Sequence, residues 1–225
     1  MSEMKISQPR QIMPYAHIKD PMSALSHFIG FLLFILLTPV LLSKAGIFHD
    51  DLMTMTGSSI YCLSLIILYG ASSAYHTFFL PEEKTRILKK IDHISIFLLI
   101  AGTYTPICLC LLKEKGLSLL IGIWTLALAG IIMKLFWIYC PRYVSSIVYI
   151  SMGWLAILKI RDVCSVLPGP GFFWLLSGGL LYTIGGIIYA LKIRISEHWT
   201  QHEVFHIFVL LGSICHFIMV FFCVI

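Results

Sequence analysis

Residues 22–42 read MSALSHFIGFLLFILLTPVLL, 21 positions without one Asp, Glu, Lys or Arg. A helix needs about 20 mostly apolar residues to cross the hydrocarbon core of a bilayer. Only a helix or a closed barrel satisfies its own backbone there. This stretch meets the length requirement by itself, and six more follow it. They run from Thr54 to Phe79, Ile91 to Leu112, Gly116 to Ile138, Val144 to Leu158, Phe172 to Leu191, and His202 to the C-terminus. The fifth is the shortest and weakest. The sequence therefore predicts an all-α integral membrane protein. Residues 1–21 form a polar N-terminal tail, and residues 22–225 form a seven-transmembrane-helix bundle. The first apolar run is not expected to be a cleaved signal, because it lacks a small-residue cleavage site and more spans follow.

Composition agrees. The chain is 59% hydrophobic and 12% charged, against about 45–50% and about 25% in soluble domains. The few charges cluster between the apolar runs. Seven cysteines lie within or at the ends of those runs and form no CxxC pair. They read as small buried apolar residues rather than as a disulfide framework. The formal charge of +5 belongs to topology, not to nucleic-acid binding, because basic residues flank spans.

Helix breakers stand between the runs: Pro81, Pro141, and the group Pro168 to Gly171. Pro39 and Pro106 fall inside spans, where neighbouring helices can satisfy the freed carbonyls. The N-terminal tail and the loops after spans two, four and six hold eleven of the 16 Lys and Arg residues. That excess puts the N-terminus in the cytoplasm and, after seven spans, the C-terminus outside. The loop Glu82 to Lys90 is the most densely charged and is expected on the cytoplasmic side. The expected location is a cell membrane, most simply the plasma membrane.

Ionisable residues at membrane depth are costly and are functional suspects. His202-Glu203-Val204-Phe205-His206 is a literal HExxH. Two His at i and i+4 share a helical face and can hold one metal ion. Ser72 lies one turn before His76 at the end of span two. Asp92, with His93 beside it, begins span three, and Ser26-His27 lies near the start of span one. Topology gathers these groups. His27, His76, Asp92, His202 and His206 all fall within about two turns of one membrane face, at about 1.5 Å rise per residue. His216 sits about 15 Å away along span seven and reads as a bundle hydrogen-bonding residue. His76, His202 and His206 are the expected metal ligands, and zinc with three imidazoles and an open fourth position is a catalytic arrangement. Asp92 is placed to accept from the bound water or act as its base. Ser72 is placed to hydrogen-bond a developing oxyanion.

These residues, in this order, resemble the hemolysin III family. The matching text is Ser23 to Gly30 in span one, Ser72 to His76 in span two, and Ile91-Asp92-His93 through Pro106 in span three. It continues with His202 to His206 and Gly212 to Phe217 in span seven. That family groups with the adiponectin and progestin receptors and, more distantly, with the alkaline ceramidases. The resemblance implies seven helices and a zinc near the cytoplasmic face, held by His76, His202 and His206. Asp92 would be reached through water, with Ser72 close by. The ceramidase and adiponectin-receptor relatives imply hydrolysis of a lipid amide. The family's name implies lysis of red cells. Many relatives begin span one with an acidic residue and an Asn. Here the stretch is Asp20-Pro21-Met22-Ser23, so a role for that acid does not carry over directly.

The sequence thus supports a zinc-dependent hydrolase of an amide or ester bond in a membrane lipid. Two other readings compete. A receptor-like or cytolytic protein would use the zinc only to staple spans together, with His93 or Asp92 filling the fourth position. An intramembrane metalloprotease would use Glu203 as base, but Glu203 points about 100° away from His202.

Overall fold

The computed structural model describes residues 18–49, 51–195, 197 and 199–225. Eight α-helices run through them, with no strand among the described residues. These are α1 (Pro21–Phe48), α2 (Leu52–Thr77), α3 (Glu82–Pro106), α4 (Leu117–Phe136), α5 (Arg142–Gly153), α6 (Ile160–Val166), α7 (Gly169–Leu191) and α8 (Gln201–Met219).

Local chemistry sets most of the ends. Pro21 opens α1, where its missing N–H costs nothing. Asp51 caps α2 by accepting from the Thr54 amide at 2.8 Å and the Thr54 hydroxyl at 2.7 Å. Thr200 and Glu203 form a reciprocal capping box on α8. The charged stretch expected as a loop, Glu82 to Lys90, is instead the first turns of α3. Glu82 and Glu83 favour the positive end of the helix, and Arg86 lies 3.4 Å from Glu82 one turn on.

Six helical runs are long and apolar enough to cross a membrane. One of them, Glu82–Phe136, has 55 residues. Drawn straight it would be roughly 80 Å long, against a hydrocarbon core of about 30 Å. It is not straight. The regular ladder of α3 gives way after Pro106 to a π-helical segment, Ile107–Leu112, and the chain turns at Lys113, whose φ is 51°. After that turn α4 packs back on α3. The run expected from Val144 to Leu158 is also longer than its sequence suggested. It extends from Arg142 to Val166, through α5, a 3₁₀ segment and α6.

Neighbouring helices close a ring in the order α1, α2, α3, α5, α7, α8 and back to α1, while α4 packs outside on α3. Small residues let the backbones approach. A Cβ at Gly102 of α3 would collide with the Ser64 side chain of α2, and one at Gly178 of α7 with the His216 ring of α8. The distribution of polarity is that of a protein in lipid. Leu36, Leu128 and Phe136 are exposed, while Ser58, Ser72, Ser95, Thr105 and Ser213 are buried.

Candidate metal centre

Three helix ends meet at one end of the ring. Main-chain bonds fasten the chain before α1 to the last turn of α2: the Lys19 amide donates to Thr77 O at 3.2 Å, and the Asp20 amide to His76 O at 2.9 Å. Those bonds satisfy carbonyls that a helix C-terminus leaves unpaired. They also carry the Asp20 carboxylate to His76, where Oδ2 lies 2.8 Å from Nδ1. A carboxylate only accepts, so His76 Nδ1 carries the proton and its Nε2 lone pair is free. The same hydrogen bond holds the Asp20 carboxyl below the ordinary carboxylate pKa.

His76 Nε2 faces α8. His202 Nε2 lies 3.2 Å from His76 Nε2 and 3.1 Å from His206 Nε2. The i and i+4 spacing places both α8 imidazoles on one side, and the capping box begins that helix two residues before His202. His76, His202 and His206 each offer a ligand atom, and these atoms all lie within 4.8 Å of one another. Nitrogens bound tetrahedrally to zinc at about 2.0–2.1 Å would stand roughly 3.3 Å apart. The separations of 3.2 and 3.1 Å match that spacing, and the donor set is of a kind that zinc accepts. No other such group of three or more His, Cys, Asp or Glu occurs among the described residues. His27 of α1 stacks its ring on His206 at 3.8 Å between centroids.

The centre opens into a cavity of about 140 Å³, lined by α1, α2, α3, α5, α7 and α8. Its polar end holds Ser72, Asp92, His93, His202 and His206. Its other walls are largely apolar, among them Ile96, Leu99, Ile150 and Val209. Asp92 is buried. His93 Nδ1 stands 3.3 Å from Asp92 Oδ2 without hydrogen-bond alignment, and the Ser72 side chain lies beside the same carboxylate. His216 also lines the cavity but stands apart from the three imidazoles, with Nε2 3.1 Å from Leu175 O. Glu203 turns back on its own helix end, where its carboxylate accepts from the Thr200 amide at 2.7 Å.

The structure therefore brings the three expected imidazoles together and sets Ser72 and Asp92 in the cavity beside them. Sequence reading missed the engagement of Asp20. An Asp before a Pro at a helix start reads as a cap, yet this side chain makes no capping bond. Its partner lies 56 residues away, and no local spacing carries that signal.

A multi-pass helical membrane protein with three histidines converging on a buried cavity is the class these features define. The family model for Haemolysin-III related proteins matches residues 15–217, and the chain belongs to that family. It is 40% identical over 207 residues to the hemolysin-3 homolog of Bacillus subtilis (strain 168), covering 90% of this chain and 93% of that one. It is 37% identical over 207 residues to hemolysin-3 of Bacillus cereus, covering 90% and 88%. A more distant relative is the adiponectin receptor protein of Drosophila melanogaster, 26% identical over 180 residues, 70% of this chain and 40% of that one.

Proposed function

We propose that this protein is a zinc-dependent hydrolase acting on an amide or ester bond of a membrane lipid. The observation that carries the reading is the set of three converging imidazoles, two of which, His202 and His206, line the polar end of a largely apolar cavity. Among the described residues the group has three members, whereas a structural zinc is closed by four protein ligands. A zinc held by these three residues alone would keep a fourth position for water or substrate, which favours chemistry over stapling. When bound, zinc would lower the pKa of a coordinated water to about 7 and polarise a carbonyl.

The chain's own groups do the rest. Asp20 fixes the tautomer and orientation of His76. Asp92, the carboxylate in the cavity next to the three ligands, accepts a proton from the attacking water and passes it to the leaving group. The Ser72 hydroxyl donates to the oxygen on which charge develops. The apolar walls hold the acyl chain and keep bulk water from the reacting bond. Glu203 serves as a helix cap, which argues against a protease base.

We read the run Glu82–Phe136 as two crossings, which gives seven spans over residues 22–225. The basic excess then puts the tail of residues 1–21 and the metal centre at the cytoplasmic face of the plasma membrane. Metal analysis joined to a lipid-hydrolysis screen on purified protein tests the reading. Wild type should hold one zinc and release a fatty acid from ceramide or another acyl lipid. His202→Ala should lose the metal, and Ser72→Ala should keep it and lose turnover by about tenfold or more. Zinc-loaded wild type that hydrolyses no acyl lipid would refute the enzyme reading.

A further inference from the structure

Lys134 belongs to the last turn of α4, at the end of a helix surrounded by exposed apolar side chains. A lysine there ordinarily extends along the helix to the headgroups. This one turns inward. It is only 1% exposed, and its Nζ donates to Ser145 Oγ at 2.6 Å and to Cys140 Sγ at 3.1 Å. Neither partner is a carboxylate, and no carboxylate lies within ion-pair distance of Lys134 among the described residues. A buried ammonium without a counter-charge is costly. The surroundings add to the charge. Ser145 stands in the first turns of α5, whose positive end faces the amine. Arg142 of the same helix lies over the Tyr189 ring at 5.0 Å, and Tyr189 lines the cavity.

The position of Ser145 makes this consequential. α4 lies outside the ring and contributes no residue to the cavity lining, but Ser145 and Ser146 line it beside Asp92, His93 and His202. Ser145 accepts from Lys134 and lies 3.1 Å from Cys140 Sγ, where either atom can donate; with the thiol donating, the Ser145 O–H is left to turn to the cavity with an ammonium behind it. The carboxylate nearest this wall, Asp92, has His93 and Ser72 as neighbours and does not reach Lys134.

We infer that the Ser145 wall of the cavity is a receptor for an anionic phosphate-type headgroup, with Lys134 as the buried charge behind it. The inference rests on the reading that the cavity admits a lipid, and it narrows the substrate class to a lipid carrying a phosphate near the bond presented to the metal centre. The ligand supplies the negative charge that Lys134 lacks, while its chains occupy the apolar walls.

Native mass spectrometry of the purified, zinc-loaded protein tests this without requiring turnover. Phosphatidic acid and diacylglycerol with the same chains are offered in turn, and retention of each is compared. Wild type should retain phosphatidic acid at least about tenfold better. Lys134→Met should bring the two to near parity with diacylglycerol retention unchanged, and Lys134→Arg should restore the preference. The surface variant Lys84→Gln should leave the preference intact, separating the cavity from general attraction to a basic face. If Lys134→Met does not fold, Ser145→Ala should lower the preference several-fold. Inorganic phosphate added alone distinguishes the source: displacement of phosphatidic acid by it would mean a free-phosphate site and overturn the lipid assignment.

Equal retention of the two lipids by wild type, or a preference that survives Lys134→Met in folded protein, overturns the inference. Selective retention without any hydrolysis would support this site and sink the hydrolase reading. Hydrolysis of ceramide with no selectivity would do the reverse.

Discussion

Asp20 offers the sharpest test of how the centre is built, because its side chain and its backbone do separate jobs. The Asp20 amide donates to His76 O at 2.9 Å whatever the side chain is, and the Lys19 amide holds Thr77 O beside it. Asp20→Ala therefore leaves the chain fastened to α2 and removes only the 2.8 Å bond to His76 Nδ1. Loss of a carboxylate behind a metal-bound histidine commonly lowers metal affinity by about 10–100-fold, or about 1.4–2.7 kcal/mol. The Asp20 side chain is 43% exposed, so solvent screens its charge and the lower half of that range is expected. Asp20→Asn keeps an oxygen that can accept from Nδ1–H and loses only the charge, so it should cost less than Asp20→Ala. The assay is zinc competition against a chelator of known affinity, read as bound zinc per protein. The order wild type, Asp20→Asn, Asp20→Ala in falling affinity supports the reasoning. Wild-type affinity in Asp20→Ala, in a preparation where His202→Ala has lost zinc, would refute the claim that Asp20 orients His76.

Removing the metal should also destabilise the bundle: zinc at a thousandfold over its Kd contributes about 4 kcal/mol. A chelator should thus lower the Tm of wild type and leave that of His202→Ala unchanged. Thr200→Ala removes the cap of α8 and should cost about 1 kcal/mol in an unfolding titration, with zinc stoichiometry kept. Glu203→Gln preserves the capping box, since Gln closes it as well as Glu. It should retain hydrolysis, whereas a loss beyond a hundredfold would revive the protease reading. Gly102→Leu would push against Ser64 where even a Cβ does not fit, at an expected cost of about 1–3 kcal/mol in thermal unfolding.

How much of this was legible in the sequence depended on the range of each interaction. The spans were, because the run of 21 uncharged residues from Met22 is a local property. So was the pair His202 and His206, whose spacing is one helical turn. His76 joined them only through an argument about which side of the membrane each span end reaches. The helical start of α3 was hidden because its charges, Glu82, Glu83, Lys84 and Arg86, look like a loop when judged by hydropathy. They form a helix because acids stand at its N-terminus and a Glu–Arg pair spans one turn. The resemblance drew attention to the acid at Asp20, but the partners of Asp20 and Lys134 were not legible. Each reaches a partner on another element, 56 and 11 residues away, through bonds that depend on how helix ends stack.

The order of the ring explains why the first helix matters to a site whose ligands lie on the second and the last. α1 packs against both α2 and α8. Its leading Asp20 holds His76 from one side, and its His27 stacks on His206 from the other. α2 and α8 are also joined farther along, where the Tyr69 hydroxyl donates to Ser213 Oγ at 2.7 Å. α1 packs closely against the Tyr69 joint, because a Cβ at Gly30 would meet the Tyr69 ring at 2.5 Å. The three imidazoles are thus presented by helices that pack closely on one another. On the hydrolase reading proposed above, that packing is what would orient the imidazoles toward a bound metal.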